Sequence, residues 1–174
     1  MISVKKLAVF IWGLIVIGWS ASLQANANIK PFSADSLIAI EESRKGEAFI
    51  LLLWSIECPP CLKELKLLKE LTGQGLNKHL LLVSTDDMEY QTDIEALIAN
   101  EALLEYEHWL FNGDLPERLR YNIDPGWYGE LPRAYIYSAR GQRVAHSGML
   151  TKAMLEQWLA LIHANSAPES TDSP

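Results

Sequence analysis

The sequence predicts an α/β fold, a central mixed β-sheet flanked by helices, with one helix near the N-terminus. Three observations predict it. "EAFILLLWS" holds a continuous apolar run of strand length and reads as a strand buried on both faces, and "KHLLLVSTDD" reads as a second buried strand running into a polar loop. Segments with helical spacing of apolar residues alternate with them, which implies parallel strands covered by helices on both sides. A late hairpin pattern adds an antiparallel edge. The expected order is α-β-α-β-α-β-β-α.

Each element has its own signal. "FSADSLIAIEESRKG" reads as a short helix with Ser33 as N-cap, apolar Leu37, Ile38 and Ile40, and Gly46 as the stop. "PPCLKELKLLKELTG" places Leu62, Leu65, Leu68 and Leu71 inward and its lysines outward, ending near Gly73. "TDIEALIANEALLEYE" carries Ile94, Leu97, Ile98 and Leu104 on one side, and "HWLF" has the length of a short strand. "NGDLPERLRYNIDPGWYGELP", broken by Pro116, Pro125 and Pro132, reads as loop. "RAYIYSARGQRVAHSG" reads as two strands joined at Arg140-Gly141, and Thr151 caps a last helix in "TKAMLEQWLALIHAN".

The chain of 174 residues suits one domain with a real core, and 49% hydrophobic against 21% charged residues marks an ordinary globular class. The net charge is -7, with no basic run or stripe, so nucleic acid is not an expected partner. The N-terminus has the layout of a secretory signal. "MISVKK" is basic, "LAVFIWGLIVIGW" is apolar, and the small, polar "SASLQANAN" contains the A-x-A site Ala25-Asn26-Ala27. The expected division is a signal peptide (or an N-terminal anchor) over residues 1-27, a domain over 28-165 and the disordered tail "SAPESTDSP" over 166-174. Cleavage removes Lys5 and Lys6 and no acid, leaving a more acidic domain. Either way the expected location is beyond the cytoplasmic membrane, in the periplasm, where thiols tend to pair.

Cys58 and Cys61, in "LLLWSIECPPCLKEL", are the only cysteines. Three chemistries compete for them. As a metal half-site they need two further ligands, and His79, His108, His146 and His163 are scattered, although two soft thiolates also suit Cu(I). As a structural staple they close too short a loop to remove much chain entropy. As a redox pair they are well placed. With Cys58 as N-cap and Pro59 as the first helical residue, the sulfur meets the positive end of the helix dipole. Cys58 is then the attacking thiol, and Cys61, one turn on and deeper, the resolving thiol.

At this point the chain resembles a known family. "LLLWSIECPPC" is similar to the active-site strand and turn of the thioredoxin superfamily, with Trp54 as the strand tryptophan. More narrowly it resembles the TlpA/ResA-like periplasmic thiol–disulfide oxidoreductases. The likeness runs from about Gly46 to Leu159, through "LLLVSTDD" and "YGELPRAYIYSARGQRVAHSG". It implies a thioredoxin-like fold and a cis Pro132 lying against the cysteine pair, with Leu131 offering backbone bonds to a bound client strand. It implies no cofactor beyond the Cys58–Cys61 disulfide and no metal. The implied partners are client thiols and disulfides, from cytochrome c maturation or metal-site assembly, and a membrane electron donor of the DsbD/CcdA kind. A monomer is expected. The alternatives are a disulfide oxidase or isomerase, or a Cu(I)-handling protein on the same fold.

Three positions depart from the family pattern. Glu57 stands where tryptophan usually precedes the first cysteine, Lys66 replaces a helix-kinking proline, and Leu52 occupies the place of thioredoxin's buried acid. A proton acceptor for Cys61 is then sought among Glu57, Asp86 and Asp87. Pro59 and Pro60 lack N–H groups, which leaves the Cys61 N–H for the Cys58 sulfur, and Glu57 adds like-charge repulsion. Both take stabilisation from the Cys58 thiolate and point to a reductant. Trp127 and Tyr128 are candidates to line a client groove.

Overall fold

The computed structural model describes residues 27–113 and 115–166, with side chains as far as residue 162. The expected signal segment lies outside the described residues except for Ala27, and the expected tail lies outside them except for Ser166.

The chain order is β1 (Ile29–Phe32), α1 (Ser36–Ser43), β2 (Phe49–Trp54), α2 (Pro59–Leu71), β3 (Leu80–Ser84), α3 (Gln91–Asn100), β4 (Glu107–Phe111), α4 (Pro116–Ile123), β5 (Arg133–Tyr137), β6 (Arg143–Ser147) and α5 (Lys152–Ser166). The six strands form one sheet in the order β1-β4-β3-β2-β5-β6. The first four are parallel neighbours, and β5 and β6 join antiparallel.

Strand β2 explains why its sequence has no polar alternation. Ile50, Leu52 and Trp54 face one apolar cluster, with Leu65, Leu68, Ile98, Leu155 and Leu159 from α2, α3 and α5. Phe49, Leu51 and Leu53 face a second cluster, with Leu37, Ile40, Leu119 and Ile123 from α1 and α4. Each face is covered, so every β2 side chain is buried. A fully buried leucine contributes roughly 2 kcal/mol of transfer free energy, so this double-sided strand anchors the fold.

Several expectations need correcting. A strand, β1, precedes α1. Ile29–Phe32 is short and carries Pro31, and proline is tolerated at this sheet edge beside β4. Ser33 is not the N-cap of α1. It closes a turn, its carbonyl accepting the Ser36 N–H at 3.1 Å and its own N–H donating to Ser36 Oγ at 2.8 Å, and the helix begins three residues later. Ile38 points to solvent, 62% exposed.

α3 stops at Asn100, short of the expected Leu104. Ala102 adopts a positive φ of 55°, the Leu103 N–H donates to the Ile98 carbonyl at 2.9 Å, and Leu103 is buried. This is a Schellman stop with alanine where glycine is usual, and it turns the chain toward β4. Finally, "LPERLRYNI" is not loop. Pro116 occupies the first helical turn, where its missing N–H is harmless, and Leu119 and Ile123 are buried at i,i+4 spacing. The remaining expected elements are present, including the hairpin turn at Gly141 (φ +76°) and the Thr151 cap, whose Oγ1 accepts the Met154 N–H at 3.3 Å.

Candidate functional site

The redox candidate forms where β2 hands over to α2. β2 ends at Trp54, Ser55–Glu57 make a turn, and Cys58 is the extended N-cap of α2 with Pro59 and Pro60 in its first turn. The two sulfurs are bonded, with Cα atoms 5.2 Å apart. Cys58 is half-buried and Cys61 wholly buried. The Cys61 N–H donates to Cys58 Sγ at 3.2 Å, the one early donor that the two prolines leave. α2 is a single continuous helix through the exposed Lys66.

Pro132 comes to the same end of the sheet through strand register. β5 runs antiparallel to β2 with Arg133 opposite Leu53, so Pro132 stands one step further, beside the end of β2. The Leu131–Pro132 peptide is cis. Pro132 is buried, and Leu131 is half-buried and packs against both apolar clusters, the first of which contains Cys61 with Cys58 against it. The structure therefore gathers Trp54, Glu57, Cys58, Pro59, Pro60, Cys61, Leu131 and Pro132, residues up to 78 positions apart in sequence, at one end of the sheet.

No family model matches the sequence, and a comparison with curated proteins returns no match. Solved structures do match. A secreted Mycobacterium tuberculosis disulfide oxidoreductase homologous to Escherichia coli DsbE aligns with a TM-score of 0.53 at 16% identity, covering 69% of this chain and 85% of that one. A thioredoxin-family thiol:disulfide interchange protein from Chlorobium tepidum aligns at 0.55 and 18% identity, covering 70% and 83%. A thioredoxin-related protein from Neisseria meningitidis aligns at 0.52 and 20% identity, covering 67% and 85%.

This chain has a thioredoxin-like fold.

Within that thioredoxin-like fold, sequence reasoning missed the buried carboxyl. Glu64 lies one turn beyond Cys61 on the same inward face of α2, fully buried. Its Oε1 accepts the Leu150 N–H at 2.7 Å, while Oε2 has no hydrogen-bond partner among the described residues. Burial pushes its pKa up to about 7, and the Leu150 N–H offsets part of that rise. A signal was available. Positions 61, 64, 65, 68 and 71 share one helical stripe, so a glutamate on an otherwise apolar stripe is a candidate buried acid, which the covering of that stripe then decides.

The three acids first considered have other places. Asp86 is buried but fully engaged. It accepts the Ser55 hydroxyl at 2.6 Å, the Ile56 N–H at 2.9 Å and the Ser84 hydroxyl at 2.6 Å, so it ties the end of β3 to the turn that delivers Cys58. Ser55 Oγ in turn accepts the Glu57 N–H at 3.1 Å. Glu57 and Asp87 are exposed. Their charges reach Tyr90, whose phenol is raised above its ordinary range first by Glu57, then by Glu89, by burial, and by Asp86 and Asp87.

Trp127 does not line a groove. It is buried in the second cluster, and its indole N–H donates to the Glu130 carbonyl at 2.9 Å. Tyr128, next to it, is 96% exposed. His108 is buried, with Nε2 against the Leu103 carbonyl at 2.8 Å, and desolvation holds its pKa below the usual value, so it is neutral. Among the described residues, no three His, Cys, Asp or Glu side chains come together to hold a metal ion. Among the same residues, no helix is long and apolar enough to cross a membrane.

Proposed function

We propose that this chain is a periplasmic thiol–disulfide oxidoreductase of the TlpA/ResA-like kind, working in the reducing direction. The observation that carries the reading is the Cys58–Cys61 pair at the N-terminus of α2 with the cis Leu131–Pro132 peptide at the same end of the sheet. In the reduced protein the Cys58 thiolate attacks one sulfur of a client disulfide. The client's other sulfur leaves as a thiolate and takes up a proton, and Cys58 is left in a mixed disulfide. Cys61 then gives its proton to Glu64 and attacks Cys58 Sγ, which releases the second client thiolate. Two electrons pass to the client, and Cys58–Cys61 becomes the disulfide. Leu131 offers backbone groups to the client strand. Recharging falls to a membrane dithiol donor of the DsbD/CcdA kind.

The reducing direction is supported by what surrounds Cys58. Among the described residues one backbone donor reaches its sulfur, and Glu57, the residue immediately before it, adds negative charge. A thiolate stabilised so little favours the oxidised pair, which means a low potential. The expected value is on the order of -250 mV or below, against roughly -120 mV for DsbA. Equilibration with glutathione measures it, and a value near the DsbA end overturns the direction.

The activity is tested by Cys61→Ser expressed with its own leader in a periplasm. Cys58 then holds clients as mixed disulfides, separable on non-reducing gels and identified by mass spectrometry. Absence of any adduct on Cys58 sinks the oxidoreductase reading.

A further inference from the structure

The segment from Asp124 to Leu131 links α4 to β5 and has no regular structure, yet it is held at several points. Arg133, the first residue of β5, holds two of them. One guanidinium nitrogen donates to Asp124 Oδ2 at 3.1 Å and the other to Glu130 Oε1 at 2.9 Å. The second nitrogen also donates to Ser147 Oγ, which itself donates to Glu130 Oε1 at 2.9 Å and so ties β6 into the same knot. Asp124 accepts the Tyr135 hydroxyl at 3.0 Å and the Gly126 N–H at 2.9 Å. The Tyr135 ring is flanked by Arg133 at 5.1 Å and Arg143 at 4.8 Å. Trp127, buried between the two carboxylates in sequence, pins the middle.

The Arg133 side chain is only 12% exposed, so its ion pairs are shielded from water more than an ordinary surface pair. A planar fork that reaches two carboxylates at once is a geometry lysine cannot reproduce. What this framework leaves out is Tyr128, whose ring stands 96% in solvent. An aromatic displayed by a loop pinned on both sides is suited to contact a partner at low ordering cost.

We propose that Arg133 is a positioning residue for polypeptide clients: it fixes the 124–131 segment so that the Leu131 backbone, which packs against the same cluster as Cys58, and the exposed Tyr128 ring three residues before it are preformed for a client chain. Small disulfides need neither contact and react with Cys58 independently of Arg133. The inference rests on the oxidoreductase reading above. Ordering a loose loop on binding costs backbone freedom, which polypeptide clients alone must offset.

The test uses the full chain, pre-reduced, with insulin as the polypeptide disulfide and uncharged 2-hydroxyethyl disulfide as the small one. Arg133→Met is expected to lower the second-order rate with insulin about tenfold, and to leave the rate with 2-hydroxyethyl disulfide and the glutathione equilibrium within about twofold. Arg133→Lys recovers part of the insulin rate. Asp124→Asn, which keeps Arg133 but removes its partner's charge, gives the same split and carries the test if Arg133→Met does not fold. Equal slowing of both substrates, or of neither, overturns the inference. Wild-type protein inert toward both overturns the oxidoreductase reading as well.

Discussion

Glu64 places a carboxyl in the apolar layer beneath α2, with one oxygen held by the Leu150 N–H and the other without a hydrogen-bond partner among the described residues. Its pKa of about 7 stands well above the ordinary 4.5. The folded state therefore binds more protons than the unfolded state between those values, and stability falls as pH rises through that window. The full cost, complete above the folded pKa, is roughly 3 kcal/mol at 1.36 kcal/mol per unit. Denaturant unfolding of the oxidised protein from pH 4 to 8 is expected to show this loss in the wild type, and not in Glu64→Gln, which keeps an acceptor for Leu150. The same substitution removes the proposed proton acceptor for Cys61. Client release from the Cys58 mixed disulfide is expected to slow at least about a hundredfold, the low end for general base loss, as measured by stopped flow. Unchanged release excludes Glu64 from the resolving step.

At the scale of elements, the site depends on junctions more than on strands or helices. Asp86, just past β3, gathers three donors, two of them from the turn between β2 and α2. Asparagine there turns one acceptor oxygen into a donor facing donors. Asp86→Asn is expected to destabilise the protein by about 2 kcal/mol, the range for hydrogen bonds to a charged group. That corresponds to a thermal midpoint about 4–8 °C lower for a chain of this size. Thermal denaturation followed by circular dichroism reads it, and a shift below one degree removes Asp86 from the support of the Cys58 turn. The junction between α4 and β5 is built on the same plan, with Asp124 and Glu130 gathered by Arg133. In both places a charged group from a neighbouring segment fixes a turn that has no ladder of its own to hold it.

Across the whole molecule, the readings that held were those carried by local pattern. "FILLLW", the whole of β2 within "EAFILLLWS", is apolar at every position because both faces of the strand are covered. Cys58 as N-cap with Pro59 behind it follows from the φ of proline and the missing N–H, and the structure places both so. The readings that failed are those where packing overruled pattern. β1 is four residues with a proline, stable because β4 lies beside it. α4 begins with a proline that reads as a breaker until Leu119 and Ile123 are seen to face the core. Glu64 drew no expectation from the amphipathic pattern of α2, and the approach of Leu150 shows its side of the helix to be closed.

The sequence by itself determined the alternation of strands and helices, the position of the cysteine pair at a helix start, and the shortage of donors around Cys58. These depend on residues within one or two turns of each other, where propensity, capping and proline geometry act. Only the tertiary structure decided that Glu64 is the buried acid, that Trp127 is packed while Tyr128 is displayed, and that Arg133 binds two carboxylates around the segment before Pro132. Those facts depend on desolvation and on contacts between segments up to 86 residues apart, as from Glu64 to Leu150. No local pattern encodes which side of a helix another part of the chain will cover.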